Sequence, residues 1–412
     1  MNQGARLPPK LLWIVVGCMV CQMGAGLFHA TRALAPDLIA DLGWTRTMWS
    51  SAMLPMLFVS SICQAFVGAA CVRFGVRPVV VTSVAFLVVS LVVLSTVQDP
   101  WIFYLATVLL AIGNAGIGDV SIGAVITRWF DRARGLALGF AFVGSNLGAV
   151  IFVHAIAAVT TVASWREAAL GLGIAGGALI MPFAFFVVRD PRPGEGASQR
   201  DEPAEVEGRA SGGDAASIPL SRAIRGPAFW IFFHTIFCYA IVQLGLYDHL
   251  ILYLGDIGYS RTEAAGALEL AMGAGIIAKL GAGAIALRLT AKTALLINTW
   301  ALTASLALMP FAGDPRMLAL FGLVFGISTA ARDVLVPLFV AEVFGAKYFP
   351  QIFGALMVAF FPGGGLGPII LARAHDVLGT YRPGFMACLL MTATAAIALG
   401  FVGRRRAPLP VI

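Results

Sequence analysis

Long uninterrupted runs of apolar residues constrain this chain more than any other feature of its sequence. Residues 11–27 and 79–97 contain no Asp, Glu, Lys, Arg or His. A helix needs about 20 predominantly apolar residues to cross the hydrocarbon core of a bilayer. Charged residues make up only 12% of the chain, which leaves too little polar surface to cover a water-soluble globule. The sequence therefore predicts an all-α membrane protein.

Twelve apolar segments follow one another, and a polar stretch separates the sixth from the seventh. The predicted spans cover residues 11–36, 47–70, 78–97, 101–128, 134–158, 167–189, 227–255, 262–286, 293–312, 317–341, 350–373 and 382–403. The stretch at 190–226 is rich in Pro, Gly, Ser, Glu and Arg, a composition typical of a disordered linker. We therefore predict an N-terminal six-helix half at 1–189, a linker at 190–226 and a C-terminal six-helix half at 227–412.

Lysine and arginine are distributed unequally between the two sets of loops, and this bias orients a membrane protein. With the N-terminus inside, the inner loops carry about three times as many cations as the outer loops. The bias predicts a multi-pass protein of the inner (plasma) membrane with both termini and the linker in the cytoplasm. It also accounts for the net charge of +7 without nucleic acid as a partner.

Several functional classes are excluded by motifs that the sequence lacks. Cys18 and Cys21 form a C-x-x-C, but both lie inside an apolar span, which favours packing over redox chemistry or zinc binding. The sequence has no G-x-x-x-x-G-K-[ST] phosphate-binding loop and no soluble domain to house catalysis. We therefore expect neither an enzyme nor an ATP-driven motor, and no cofactor or metal.

An internal repeat relates the two halves. Gly68–Arg77 (GAACVRFGVR) follows the second span and Gly283–Lys292 (GAIALRLTAK) follows the eighth, with glycine, arginine and closing cation at the same spacing. Further along, Asp119 in the fourth span corresponds to Asp333 in the tenth. The repeat predicts two pseudo-symmetric six-helix bundles. Parallel repeats of this kind place the substrate site near the bilayer midplane, between the halves.

The two six-span halves, the long central loop and the G-x-x-x-x-R-x-G-x-[RK] element resemble the major facilitator superfamily. In the usual form of that element an acidic residue precedes the arginine, whereas Val72 and Leu287 occupy those positions here. The gating role of that acid is therefore not carried over to this chain. The resemblance implies a secondary transporter that works by alternating access as a monomer.

Three loop segments narrow the resemblance to the monocarboxylate and oxalate/formate transporters. They are Gly43–Arg46, Arg128–Gly139 and His375–Pro383, while Trp13 alone stands where the animal carriers have an aromatic-acidic signature. This resemblance implies transport of a small organic monocarboxylate anion, by proton symport or by exchange. The alternative is an efflux pump for a lipophilic compound. The short polar linker argues against a third possibility, a membrane sensor.

Charged residues inside spans are costly and each needs an explanation. Lys279, in the eighth span, occupies a position that resembles that of a substrate-binding arginine in the monocarboxylate group. The alternative is that its side chain extends to the membrane interface. Arg332 and Asp333 lie in the middle of the tenth span, so we predict an anion site at Arg332 and proton coupling at Asp333. The alternative is a structural ion-pair network that includes Lys279.

Polar residues in other spans complete the candidate site. Tyr239, Gln243 and Tyr247 recur every four residues along the seventh span and share one helix face, which suits a site wall. Ordinary helix packing explains this stripe equally well. Asn114 is a further candidate for substrate binding, and His29 for both substrate binding and proton coupling, because imidazole titrates near pH 6.5. Asp119 is either a proton carrier or a structural partner of a cation. For His29 and Asn114 the alternative is a role in helix packing.

Overall fold

Helices make up almost the whole of the structure. The computed structural model describes residues 9–44, 46–130, 133–192, 195 and 217–403. Within these ranges twelve helical segments are long and apolar enough to cross a membrane, and no β-strand occurs. The prediction of an all-α protein with twelve transmembrane helices is therefore confirmed.

The chain divides into two units, Met1–Ser211 and Gly212–Ile412. The division falls inside the stretch predicted as a linker, of which residues 193, 194 and 196–216 lie outside the described part of the structure. The N-terminal unit contains nine α-helices in its described residues. They are α1 (Pro9–Ala30), α2 (Ala35–Leu42), α3 (Arg46–Ser51), α4 (Met53–Arg73), α5 (Val76–Ser95), α6 (Pro100–Ile117), α7 (Asp119–Trp129), α8 (Arg134–Thr160) and α9 (Trp165–Pro182).

The C-terminal unit contains eight α-helices in the ranges that the structure describes. They are α10 (Leu220–Ala223), α11 (Pro227–Asp256), α12 (Arg261–Arg288), α13 (Ala291–Leu308), α14 (Pro315–Phe344), α15 (Phe349–Met357), α16 (Phe360–Leu378) and α17 (Arg382–Gly400). Helix α10 is short and precedes the seventh span. Ser260 begins α12 with a capping box in which its hydroxyl accepts from the backbone N–H of Glu263.

The same pairs of spans pack together in each unit. The first and fifth spans pack as α1 against α8, and the seventh and eleventh as α11 against α16. The third and sixth spans pack as α5 against α9, and the ninth and twelfth as α13 against α17. The third and fourth, α5 and α6, are matched by α13 and α14. This correspondence confirms the pseudo-symmetry predicted from the repeat.

Two of the predicted spans, the fourth and the eleventh, are each broken into two helices. The fourth span breaks at Gly118, an extended residue between α6 and α7, so that Asp119 becomes the first residue of α7. The eleventh breaks between α15 and α16, at residues 358–359. Pro362 lacks the N–H that would bond to the carbonyl of Val358, which explains a break one turn before it.

The first span is shorter than predicted. Helix α1 ends at Ala30, and a 3-10 turn at Thr31–Leu34 leads into the short helix α2. The predicted span at 11–36 is therefore wrong at its second end. Pro36 lies within the first turn of α2, where its missing N–H leaves no helical hydrogen bond unmade.

Glycines bring the paired helices into backbone contact. A Cβ on Gly148 of α8 would overlap the backbone of Met23 in α1, and a Cβ on Gly367 of α16 would overlap that of Ile241 in α11. In the second unit Gly326 of α14 meets the backbone of α12 at Ala271 in the same way. Such small residues allow helices to approach closely in a membrane.

Gly326→Ala is expected to destabilise the protein by about 1–3 kcal/mol, because the new methyl group would force α14 away from Ala271. The matched control is Gly281→Ala in α12, where a Cβ would have no neighbour within 4 Å among the described residues. That substitution should be neutral or stabilise by up to about 1 kcal/mol. Thermal unfolding of the purified variants in detergent measures both, and equal effects would contradict the close approach of α12 and α14.

Candidate functional site

Three charged side chains of the C-terminal unit meet between α12 and α14. Lys279 belongs to α12, and Arg332 and Asp333 are neighbours on α14. The Nζ atom of Lys279 lies 3.2 Å from Oδ2 of Asp333, and Nη2 of Arg332 lies 2.5 Å from Oδ1. The structure therefore places two cations on one carboxylate.

The two cations are buried. Lys279 is 5% exposed and Arg332 is 7% exposed. A charge in the middle of a membrane helix costs about 2.5–3.5 kcal/mol on insertion scales, and a paired carboxylate offsets part of this cost. Helix geometry alone does not predict a contact between Arg332 and Asp333, because neighbouring side chains on a helix point about 100° apart. The long arginine side chain bridges this angle.

Two aromatic rings lie close to the guanidinium of Arg332. Its Cζ lies 5.8 Å from the ring centre of Tyr239 on α11 and 5.7 Å from that of Phe360 on α16. A guanidinium at this distance from a ring face is attracted by the negative charge of the π-system. Helices α11, α14 and α16 therefore position Arg332 together.

Tyr239 is itself fixed by hydrogen bonds. The side-chain amide of Asn298 on α13 donates to the Tyr239 hydroxyl at 2.9 Å and also to the carbonyl of Ser328 on α14 at 2.9 Å. The Tyr239 hydroxyl donates to Oγ1 of Thr299 at 3.3 Å. Because all four residues are buried, these bonds leave Tyr239 little freedom to turn.

Three polar atoms in this region are buried without a hydrogen-bond partner among the described residues. They are Nε of Arg332, a donor, Oε1 of Gln243, an acceptor, and the hydroxyl oxygen of Ser328. A buried polar group without a partner costs about 1–3 kcal/mol, so a ligand that supplies the missing partner is stabilised. Tyr247 interacts with the side chain of Gln243 and is electrostatically coupled to Asp333 and Arg332. The predicted stripe of Tyr239, Gln243 and Tyr247 therefore adjoins the charged cluster.

In the N-terminal unit, Asp119 lies beside Gln22. The side-chain amide of Gln22 donates to Oδ1 of Asp119 at 2.9 Å, and Gln22 is 1% exposed. The break at Gly118 puts Asp119 in the first turn of α7, where the helix dipole stabilises a negative charge. Oδ1 of Asn114 is buried without a partner among the described residues. His29 belongs to α1, but its side chain lies outside the described part of the structure.

The N-terminal unit also contains an apolar cavity of about 110 Å³. Most of its wall is formed by aromatic and aliphatic side chains, among them Phe28, Trp49 and Phe103. Thr31 and Thr107 also line the cavity. The hydroxyl of Thr31 donates to the backbone carbonyl of Phe28, and the hydroxyl of Thr107 donates to that of Phe103. This cavity therefore suits an uncharged apolar ligand.

Three residues of these polar networks are absent from the sequence-based candidates. Gln22 and Asn298 are amides inside apolar spans, and this intramembrane polarity is the signal that identifies such residues. Phe360 carries no such signal, because the chain has 28 phenylalanines and most belong to ordinary packing. Its place beside Arg332 follows from the packing of α16 against α11, which spacing along the chain does not encode.

Comparisons with known proteins agree on one family. The model of the Major Facilitator Superfamily matches residues 12–299. Monocarboxylate transporter 13 of Bos taurus is 24% identical over 325 residues, which cover 76% of this chain and 70% of that protein. The oxalate:formate antiporter of Oxalobacter formigenes is 28% identical over 281 residues, 64% of this chain and 62% of the antiporter. The crystal structure of the E. coli fucose:proton symporter matches with a TM-score of 0.72 at 16% identity, covering 95% of this chain and all of the symporter.

Proposed function

Because the chain belongs to the major facilitator superfamily, we propose that it is a secondary transporter of a small organic monocarboxylate anion. Members of this family move small molecules across membranes and are not enzymes, so the resemblance inferred from the sequence and the prediction of a transporter are confirmed. We further propose that it works by alternating access as a monomer. We also propose that the protein lies in the inner membrane, with both termini in the cytoplasm, as the loop charges predict.

The observation that carries the proposal is the guanidinium of Arg332. It is 7% exposed, it lies within about 6 Å of the centres of two aromatic rings, and its Nε has no acceptor among the described residues. A carboxylate is planar and accepts two parallel N–H bonds from a guanidinium. A small monocarboxylate would therefore supply the missing acceptor. In this proposal Tyr239, Gln243, Tyr247 and Asn114 contact the rest of the substrate.

The shared carboxylate of Asp333 gives a route to proton coupling. Asp333 contacts both Arg332 and Lys279. When the substrate carboxylate takes the guanidinium of Arg332, Asp333 loses that contact and a proton can replace the lost positive charge. One proton then accompanies one anion, which makes the step electroneutral. Asp119 and His29 are further candidates for proton coupling, and without a proton gradient the same site supports exchange of one anion for another.

The names of the relatives support the same substrate class. A monocarboxylate transporter and an oxalate:formate antiporter are among the proteins that match this chain, at 24% and 28% identity. The buried cations of the C-terminal unit agree with an anionic substrate on independent physical grounds. The relatives and the buried cations are compatible with several small monocarboxylates, so a panel of them is the appropriate probe.

Uptake into proteoliposomes tests the proposal. The probes are a panel of labelled two- to four-carbon monocarboxylates, their uncharged amides and a dicarboxylate, each with and without an inward proton gradient. We expect at least one monocarboxylate to enter faster with the gradient, or in exchange for internal substrate, while its amide does not enter. Lys279→Ala should slow this uptake, and uptake indifferent to the gradient, to internal substrate and to Lys279→Ala would overturn the proposal.

A second candidate function is export of a lipophilic compound, which the apolar cavity of the N-terminal unit favours. A chain that uses this cavity should move an uncharged fluorescent lipophile and should not require Arg332 or Lys279. Trp49→Ala would then reduce transport of that compound, because Trp49 forms part of the cavity wall. Competition by the lipophile against monocarboxylate uptake distinguishes one shared function from two.

A further inference from the structure

Three arginines line a cavity at the end of the N-terminal unit where α4 passes into α5. The cavity has a volume of about 250 Å³. Arg77 comes from the first turn of α5, and Arg189 and Arg192 come from the segment that follows α9. Phe74, 62% exposed, forms an apolar part of the rim. The cavity therefore combines cations with an apolar edge.

The carboxylate of Asp190, which lines the cavity, already has two partners. One oxygen of Asp190 pairs with Arg128, and the other accepts from the backbone N–H of Val76 at 2.8 Å, at the start of α5. Val72, near the end of α4, stands where the usual form of the element has an acid, and Asp190 brings a carboxylate to the start of α5 from elsewhere in the chain. Asp190 therefore fixes the loop and does not neutralise Arg77.

The carboxylate of Glu195, near the cavity, also has partners of its own. It accepts from Arg189 at 2.7 Å, pairs with Lys10, and accepts from the backbone N–H of Arg192 at 3.1 Å. The hydrogen bonds from Arg189 and Lys10 hold the pKa of this carboxyl well below its usual range. Glu195 therefore stays ionised, and its charge is matched by Arg189 and Lys10.

Two guanidinium groups are left without a carboxylate among the described residues. Nε of Arg77 donates to the carbonyl of Val188 at 3.4 Å, a long bond, and no hydrogen bond or ion pair joins the guanidinium of Arg192 to another described residue. Both face the same cavity. Two unmatched guanidiniums around an open space form a receptor for a doubly accepting anion such as phosphate.

We propose that this cavity binds a phosphate group, either in the headgroup of an anionic phospholipid or as free phosphate. The forked N–H groups of Arg77 and Arg192 match the phosphate oxygens. Phe74 and Pro78, both exposed, offer apolar surface to the glycerol and acyl region of a lipid. The cavity shares no residue with the transport proposal, so the two proposals are tested separately. Basic clusters at a membrane surface attract anionic lipids with about 1 kcal/mol, a factor of about five, per cation.

The test compares two probes on the full-length purified protein. Phosphatidylglycerol and phosphatidylcholine with identical acyl chains are each titrated against the protein in detergent. Native mass spectrometry then measures how many lipid molecules are bound. Inorganic phosphate is titrated by calorimetry against the protein in phosphatidylcholine nanodiscs. The variant is Arg77→Gln with Arg192→Gln, and the charge-matched control is Arg222→Gln with Arg225→Gln, two exposed arginines of the C-terminal unit.

We expect the cavity variant to bind the phosphate-bearing probe at least about tenfold more weakly than wild type, and the control to bind it as wild type does. Loss confined to phosphatidylglycerol identifies a lipid headgroup, and loss confined to inorganic phosphate identifies a soluble ligand. Equal binding by wild type and cavity variant would overturn the proposal, as would no preference for phosphatidylglycerol together with no phosphate binding. Thermal unfolding of both variants shows that neither result comes from misfolding.

Discussion

Arg332→Ala is expected to lower the initial rate of monocarboxylate uptake by at least about a hundredfold. The guanidinium is buried beside Tyr239 and Phe360, and each charge-assisted hydrogen bond to a substrate carboxylate contributes about 1.5–3 kcal/mol. Loss of both bonds of a bidentate pair therefore removes most of the binding energy. Uptake of the best labelled substrate into proteoliposomes measures the effect. Arg288→Ala, at an exposed position at the end of α12, is the matched control and should stay within about twofold of wild type.

A purely structural ion pair makes a different prediction for the conservative variant. Arg332→Lys keeps a cation beside Asp333 but loses the planar fork and the Nε donor. If Arg332 binds the substrate, this variant folds as wild type does and its KM rises. If Arg332 only stabilises the fold, Arg332→Lys should transport normally, and the loss in Arg332→Ala should be accompanied by a lower unfolding temperature. That second pattern would contradict the anion site proposed at Arg332.

The architecture could be predicted from the sequence because it depends on signals that each segment carries by itself. Apolar runs of about 20 residues define the spans, since a backbone in lipid must satisfy its own hydrogen bonds. The Gly68–Arg77 and Gly283–Lys292 repeat predicted the pseudo-symmetry, which the matching helix pairs confirm. The break at Gly118 was not predicted, because a single glycine in an apolar run is compatible with a continuous helix.

The candidate site was predictable only in part, for a related reason. Lys279, Arg332 and Asp333 stand out because charges are rare inside spans. Their meeting at one carboxylate depends on how α12 packs against α14, where Gly326 allows close approach to Ala271. Contacts of this kind join residues far apart in sequence, so spacing along one helix cannot reveal them. The same limit applies to Asn298 and Phe360, which act through neighbours on other helices.

Asp333→Asn is expected to abolish the acceleration of uptake by a proton gradient while exchange of internal for external substrate continues. Asparagine has nearly the shape of aspartate and its one amide oxygen can still accept from Arg332 or Lys279, but it cannot take up a proton. The variant also leaves the cations near Asp333 without the negative charge that offsets their burial. An anionic substrate replaces that charge, so substrate should raise the unfolding temperature of Asp333→Asn more than that of wild type.

The repeat supplies the control for this experiment. Asp119→Asn removes the corresponding acid of the N-terminal unit, whose Oδ1 accepts from the neutral side-chain amide of Gln22. If Asp333 carries the proton, Asp119→Asn should retain the response to the gradient. The reverse result, with the response lost in Asp119→Asn and kept in Asp333→Asn, would move proton coupling to the N-terminal unit. Arg332 would then bind the anion without a titrating neighbour, and its contact with Asp333 would serve only to offset the cost of burying both charges.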